Sequence, residues 1–314
     1  MSATIPQLVY ADPRDRVPYS PIVNRPIIKW PGGARLAFWV SPNVEHYEYL
    51  PPFNPKFNMF SRTPPPDVQQ YAFRDYGNRV GFWRTAEILD RFEIRATVSL
   101  NFAVLDLYPE IRDAMIARNW SFMSHGVYNT RPVYGFSIEE EREMLQDTVD
   151  TMRRHTGKSL KGMLGPALSA TLNTPDLMTE AGLNYHADWI HDDQPVPIMT
   201  RTGRLVSVPY SYELNDGFPV PVSFAYFAQC CMRQFDRLWL EGETSGRVMC
   251  IALHPFLVGQ PHFAGYLEEM LAHVRKHDQV WYATADEIAD YYINNYFTDY
   301  LAHASLPATS AGRP

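Results

Sequence analysis

Between residues 34 and 297 the chain alternates short apolar runs with longer stretches of helical spacing, and this order constrains the fold more than anything else in the sequence. "ARLAFWVS" (34–41), "IRATVSL" (94–100), "WSFMS" (120–124), "LKGMLG" (160–165), "RLVSVPY" (204–210), "RVMCIAL" (247–253) and "VWYAT" (280–284) read as strands. Near-continuous apolar runs of this length suit strands covered on both faces. Residues 78–92, 101–119 with a kink near Pro109, 137–157, 173–182, 223–242, 261–278 and 285–297 read as helices. The clearest is 137–157: Ser137 and Glu140 form a capping box, acids fill the first turn and Gly157 ends it. The 173–182 helix has Thr174 as its cap, Pro175 in its first turn and Gly182 as its stop. Strand–helix–strand units join with one hand and imply a parallel sheet. A succession of them without a linker implies an α/β fold with a single (β/α) barrel of seven or eight strands.

Around that barrel (34–297) the sequence places a Pro-rich, aperiodic N-terminal arm (1–33), extended over the surface or onto a neighbouring subunit, and a C-terminal tail (298–314). A long Pro-rich loop, 51–68, is of the kind that closes a site or forms an interface. With 314 residues, 46% of them hydrophobic, the chain can bury a substantial core. A net charge of −7 without a Lys/Arg cluster argues against nucleic acid. Cys230, Cys231 and Cys250 form no metal-binding spacing and read as reduced thiols in a cytosol. The first 20 residues lack a basic segment followed by an apolar run, and no 18-residue apolar stretch occurs. These features give the expectation of a cytoplasmic protein without a membrane partner.

In (β/α) barrels the chemistry gathers at the C-terminal ends of the strands. Asn43, Glu45, His125, Pro166 and His254 fall there. His125 closes a strand and precedes Gly126. One helical turn later, where a metal site would want a second histidine, stands Asn129. His254 closes an apolar strand and precedes Pro255. Either imidazole suits proton transfer near neutral pH, and a carboxylate beside a histidine can activate water without a metal. The plainer readings are a strand-end histidine bonded to a carbonyl and, for Glu45, a solvated acid. Asp192 and Asp193 in "HDDQP" read as a capping turn or as paired carboxylates that shift each other's pKa. Glu213, Asn215 and Asp216 in "SYELND" are further candidates. His262 in "QPH" either begins a helix or lines the cleft. Zinc wants three protein ligands and an open position. Glu45, His125 and Asn129 offer one carboxylate, one imidazole and one amide, a poor set for a borderline-soft metal. No metal is therefore favoured, and zinc stays as the alternative. His46 is adjacent but points to the other face of its strand.

"WPGGARLAFWVSPNVE" (30–45), "RDYGNRVGFWR" (74–84), "SHG" (124–126), "LGPALSATLNTPDLMTEAGLNY" (164–185), "DWIHDDQP" (188–195), "VPYSYELND" (208–216) and "LHPFLVGQPH" (253–262) resemble, in order and spacing, the polysaccharide deacetylase (NodB-like) superfamily. The likeness spans roughly residues 25–297 and is closer to a cytoplasmic branch that includes cofactor-independent allantoinase. It implies a distorted (β/α) barrel. Metal-dependent members carry Asp-x-Asp after the first strand, base first and ligand second, and His-x-x-x-His after a later strand. Here those patterns read Asn43-Val44-Glu45 and His125 to Asn129, so the base, one acidic ligand and one histidine are replaced, as they are in the allantoinase branch.

The resulting expectation is hydrolysis of a non-peptide C–N bond in a small molecule, a cyclic ureide or imide such as allantoin. Glu45, His125, His254 and Asp193 are the catalytic candidates. Asn43, Asn129, Pro166, Ser169, Glu213 and His262 are the substrate-binding candidates, with backbone N–H groups from Pro166 to Ser169 as oxyanion donors. Two alternatives stay open: a metal-dependent N-deacetylase of an amino sugar or glycan, and a degenerate barrel that only binds a small ligand. The resemblance and the arm also imply a homo-oligomer, dimer or tetramer.

Overall fold

A computed structural model describes residues 13–52, 63–217 and 223–304. Its strands are β1 (Leu36–Val44), β2 (Thr97–Leu100), β3 (Ser121–Ser124), β4 (Gly162–Met163), β5 (Tyr185–His186), β6 (Val196–Ile198), β7 (Leu205–Ser207), β8 (Arg247–Leu253) and β9 (Val280–Tyr282). They form one curled sheet in the order β6-β7-β5-β4-β3-β2-β1-β8, with β9 added against the start of β1. All pairs are parallel except β6–β7, so the sheet is mixed rather than purely parallel. β6 and β7 are separated by a short connection, which suits a hairpin rather than a crossover helix.

The curl is closed by irregular backbone, not by strand pairing. The Val248 N–H donates to the Asp193 carbonyl at the start of β8 (2.9 Å), and Asn215 bridges Ala252 near its end. Alternate residues along β1 serve two cores. Phe38 and Val40 pack with Val98, Phe122 and the outer helices. Ala37 and Trp39 pack inside the curl with Tyr185, Val206, Tyr210 and Cys250. Asn43 and Glu45 continue the inner face by the two-residue period of a strand, as His125 does after Met123 and His254 after Ala252.

The capping box of Ser137 and Glu140 is present, and Gly157 ends that helix at φ 69. Pro109 divides 101–119 into two helices, Ala103–Leu107 and Pro109–Ala117. Thr174 is not a cap: Asn173 holds that position, and the Thr174 hydroxyl turns to the Glu141 carboxylate. The 78–92 helix begins earlier, at Val68, and runs through a π-turn over Gly77–Gly81. Residues 1–12 of the arm lie outside the described residues, and residues 13–33 pack on their own chain. Arg16 pairs with Asp176 (3.0 Å), and Arg25 makes a two-pronged pair with Asp192 (2.7 and 2.5 Å). The expected tail begins instead as a helix, Phe297–Ala304, whose Tyr300 hydroxyl donates to the Pro18 carbonyl, and residues 305–314 lie outside the described residues. Of the Pro-rich loop, residues 53–62 lie outside the described residues. No described helix is long and apolar enough to cross a membrane.

Candidate functional site

Glu45 leaves the end of β1 with its carboxylate buried between two imidazoles. Its Oε1 lies 3.4 Å from His125 Nε2 and 3.6 Å from His254 Nε2. Its Oε2 accepts the Tyr47 hydroxyl (2.9 Å). Burial disfavours the carboxylate charge, yet the adjacent His254 and His125 outweigh burial and hold the pKa well below the ordinary 4.5. Glu45 is therefore anionic at any physiological pH.

Each imidazole has its far nitrogen fixed. His125 Nδ1 faces the Leu164 carbonyl at 2.7 Å, and because a carbonyl only accepts, that nitrogen carries the proton. His254 Nδ1 faces Asp216 Oδ1 at 2.7 Å, and Asp216 also accepts the His254 backbone N–H (2.8 and 3.0 Å). Burial works against the charged ring of His254, but Glu45 and Asp216 overcome it and raise the pKa to about 10. Asp216 is itself pushed up by burial, with His254 opposing. The result is a buried line of groups, Asp216, His254, Glu45, His125, in which His254 holds a proton at neutral pH. When His125 is neutral its Nε2 and Glu45 Oε1 are two acceptors facing each other. A group with two hydrogens, a water molecule or a substrate N–H₂, satisfies both.

Local chemistry fixes the three strand ends. Asn101, fully buried just past the end of β2, accepts the His46 N–H with Oδ1 (2.9 Å) and donates Nδ2 to the His125 carbonyl. It thereby joins the backbone carrying Glu45 to that carrying His125. Asn78, in the π-turn, donates to the Glu45 carbonyl (2.8 Å). Gly81 in the same turn sits against the segment after His254, where an added Cβ would lie 1.9 Å from the Pro255 carbonyl oxygen. Gly126, at φ 66, turns the chain beside Pro166.

The candidates from the sequence divide. Glu45, His125 and His254 come together. Asn43 stands on the inner face of β1 but is not placed as a base: its Nδ2 donates to the Tyr210 hydroxyl and to the Leu253 carbonyl (both 3.1 Å). Asn129 is buried, its N–H bonded to the His46 carbonyl, and its Oδ1 has no hydrogen-bond partner among the described residues. Pro166 neighbours Gly126. The loop after it is strained, with Ala167 and Leu168 at φ 57 and 53. Its donors are largely used: proline has no N–H, Leu168 N–H bonds the Gly165 carbonyl and Ser169 N–H bonds the Pro166 carbonyl. Of that expected oxyanion hole, only the Ala167 N–H is not tied up in the turn. The Ser169 hydroxyl is structural, donating to the Pro166 carbonyl (2.6 Å) and accepting the Val133 N–H.

Asp193 is not brought to Glu45. Its backbone meets Val248 at the opposite end of β8, about 20 Å along the strand from His254. With Glu213 it lines a separate cleft of about 720 Å³ beside Trp189, Asp192 and the arm. Glu213 is exposed and accepts from Gln234 (2.7 Å). His262 is exposed in the first turn of the helix Pro261–Val274, its ring on Phe263. Asp216, rather than Glu213, is the acid of its segment that reaches the site. Asn101, Tyr47 and Asn78 carry no sequence signal beyond being polar in or beside apolar runs.

The metal alternative meets a chemical difficulty. Two strong donors, Glu45 and His125, face one point, and the third is a neutral amide, so the set does not fit zinc. His254 does not complete it. Its Nδ1 is held by Asp216, and Glu45, His125 and His254 do not bring three ligand atoms within 4.8 Å of one another.

No family model matches the chain. A Schizosaccharomyces pombe protein assigned as a polysaccharide deacetylase is 26% identical over 238 residues, covering 68% of this chain and 73% of that protein. A peptidoglycan deacetylase of Helicobacter pylori is 22% identical over 262 residues, 72% of this chain and 87% of its own. Among solved structures, PuuE allantoinase superposes with a TM-score of 0.78 at 25% identity, covering 87% of this chain and 95% of that one. In fold and in sequence the chain is similar to proteins of the NodB-like deacetylase superfamily, and these relatives support placing it there.

Proposed function

We propose that the protein hydrolyses a C–N bond of a small cyclic amide, a ureide or imide, with the groups around Glu45 as its proton-transfer machinery. The relatives, deacetylases and an allantoinase by name, support a hydrolase of C–N bonds. The observation that carries it is His254, held at Nδ1 by Asp216 and facing with Nε2 the same carboxylate oxygen that faces His125. A C–N bond breaks only when the leaving nitrogen acquires a proton, and a buried imidazolium with a fixed Nδ1 partner supplies one. His125 Nε2 accepts one proton from a water that also donates to Glu45, as the water oxygen adds to the carbonyl carbon. The tetrahedral oxyanion collapses, the C–N bond breaks and His254 Nε2 protonates the departing nitrogen. The products are a carboxylate and an amine or ureido nitrogen. The buried, unpartnered Asn129 Oδ1 is suited to accept a substrate N–H, which cyclic ureides carry in pairs.

A cytoplasmic setting belongs to the same proposal, supported by three unpaired cysteines. The resemblance to PuuE allantoinase favours a cyclic ureide, and the deacetylase relatives favour an acetamido sugar. Turnover of a panel of cyclic ureides, cyclic imides and N-acetylglucosamine oligomers, with and without a chelator, decides between them. Chelator-resistant opening of a cyclic amide is the expected result. Chelator-sensitive release of acetate would replace this reading with metal-dependent deacetylation.

A further inference from the structure

We infer that Asp236, His273 and His277 form a second site, for a divalent transition-metal ion such as Zn²⁺, on the outer helix layer. Asp236 lies on the helix Phe224–Glu241, and His273 lies in the last turn of Pro261–Val274. The chain continues past that helix in a tightened turn, with Lys276 N–H bonded to the His273 carbonyl and His277 N–H to the Val274 carbonyl (both 3.2 Å). Four residues apart, the two histidines fall on one face. Among the described residues this trio brings its three ligand atoms within 4.8 Å of one another. His273 Nε2 is 2.6 Å and His277 Nε2 3.7 Å from Asp236 Oδ1. A zinc ion about 2 Å from each ligand needs them within about 4 Å of one another, a small side-chain adjustment away.

A further observation points the same way. His277 Nδ1 lies 3.1 Å from the His273 carbonyl, so its proton is on Nδ1 and the Nε2 lone pair faces Asp236. This is the orientation that a carbonyl on the far nitrogen gives a metal-bound histidine. Phe235 packs on both rings (centroids 5.9 and 4.9 Å) and Trp239 on His277 (5.4 Å), which limits their rotation. Two neighbouring cations are engaged elsewhere: Arg237 with Glu241, and Arg275 with the Phe92 carbonyl and over the Tyr282 ring. The site is half-exposed, open to a fourth ligand from water, and ties together two helices that flank β8. It stands independently of the reaction assigned to Glu45.

The test is Zn²⁺ titration of the chelator-stripped, desalted protein against a chromophoric chelator, with Co²⁺ absorption as a second readout. One equivalent is expected to bind, with affinity lowered about tenfold or more in His273→Ala, His277→Ala and Asp236→Asn and unchanged in Glu45→Gln. Zn²⁺ should raise the melting temperature of the parent protein and not that of the correctly folded His277→Ala variant. Equal binding by the parent and His277→Ala would overturn the inference. So would binding lost only in Glu45→Gln, which would move the metal to the strand ends.

Discussion

Two histidine–carboxylate clusters sit near the two ends of this barrel, and they use the same side chains differently. Around Glu45 one carboxylate oxygen is approached by two imidazoles from different directions, each with its far nitrogen anchored; Glu45, His125 and Asp216 are buried and His254 nearly so. Around Asp236 two imidazoles from adjacent turns point their Nε2 atoms at one exposed carboxylate. Burial turns the first cluster into a store of charge: anion and imidazolium stabilise each other because water is excluded. Exposure leaves the second with little mutual electrostatic hold and with nitrogens that converge. Composition does not separate a proton-transfer site from a cation site; burial and the direction of the lone pairs do.

The sharpest way to break the contrast is Glu45→Gln. It removes the anion that holds His254 protonated, and kcat/KM should fall by about 10³ or more, at the upper end of acid–base contributions. NMR titration should find the His254 pKa lowered from about 10, because Glu45 is the largest influence raising it. Turnover within about tenfold of the parent would remove Glu45 from the mechanism.

Next in size is the acid. His254→Gln should cost about 10²–10⁴ in kcat, and Asp216→Asn less, about 10². The loss should shrink for substrates with better leaving nitrogens, a pattern that a merely structural role would not produce. In the parent protein the alkaline limb of kcat/KM should lie near pH 10, and in Asp216→Asn it should move to lower pH. Stability follows the same groups. The lowered pKa of Glu45 stabilises the fold above about its ordinary 4.5, and this is lost as pH falls. The raised pKa of His254 stabilises the fold fully below its ordinary 6.5 and is lost as pH rises toward about 10. The melting temperature of the parent should therefore decline between pH 6.5 and 10, and more steeply than that of His254→Gln.

How far the sequence revealed this depended on what each residue's position rests on. Strand-end histidines are legible because β3 and β8 are apolar runs of definite length, so His125 and His254 must emerge at the same face. Glu45 is legible from its period along β1. Asp193 misleads because "HDDQP" follows a strand in order, yet its backbone pairs with the beginning of β8. That pairing comes from the way the curl closes, which no local pattern encodes. Asp216 sits in a segment of several polar residues, and only the bridge of Asn215 to Ala252 decides which one faces His254. The antiparallel β6 was hidden for a related reason: three residues make too short a run to show a period.

A smaller effect tests whether Asn43 is a base in disguise. Its two N–H groups go to the Tyr210 hydroxyl and the Leu253 carbonyl, so Asn43→Asp sets a carboxylate oxygen against a carbonyl that can only accept. The variant should gain no activity and lose about 1–3 kcal/mol of stability, the cost of leaving buried polar groups unpaired. Chemical denaturation and kcat/KM measured together check it. A more active Asn43→Asp protein would mean that the aspartate-based mechanism of metal-dependent relatives survives here.

The smallest expected effect completes the comparison. His277→Ala, on the exposed cluster, should leave kcat/KM within about twofold of the parent at saturating or chelated metal, because its ring is anchored to the His273 carbonyl and to aromatic neighbours on the outer helices, with no bond to β8 or to Asp216. Surface changes away from buried networks seldom exceed about 0.5 kcal/mol. A larger drop that Zn²⁺ in the assay reverses in the parent and not in the variant would mean that the two helices transmit metal occupancy to the start of β8 and along it to His254, and the two clusters would then be coupled ends of one strand.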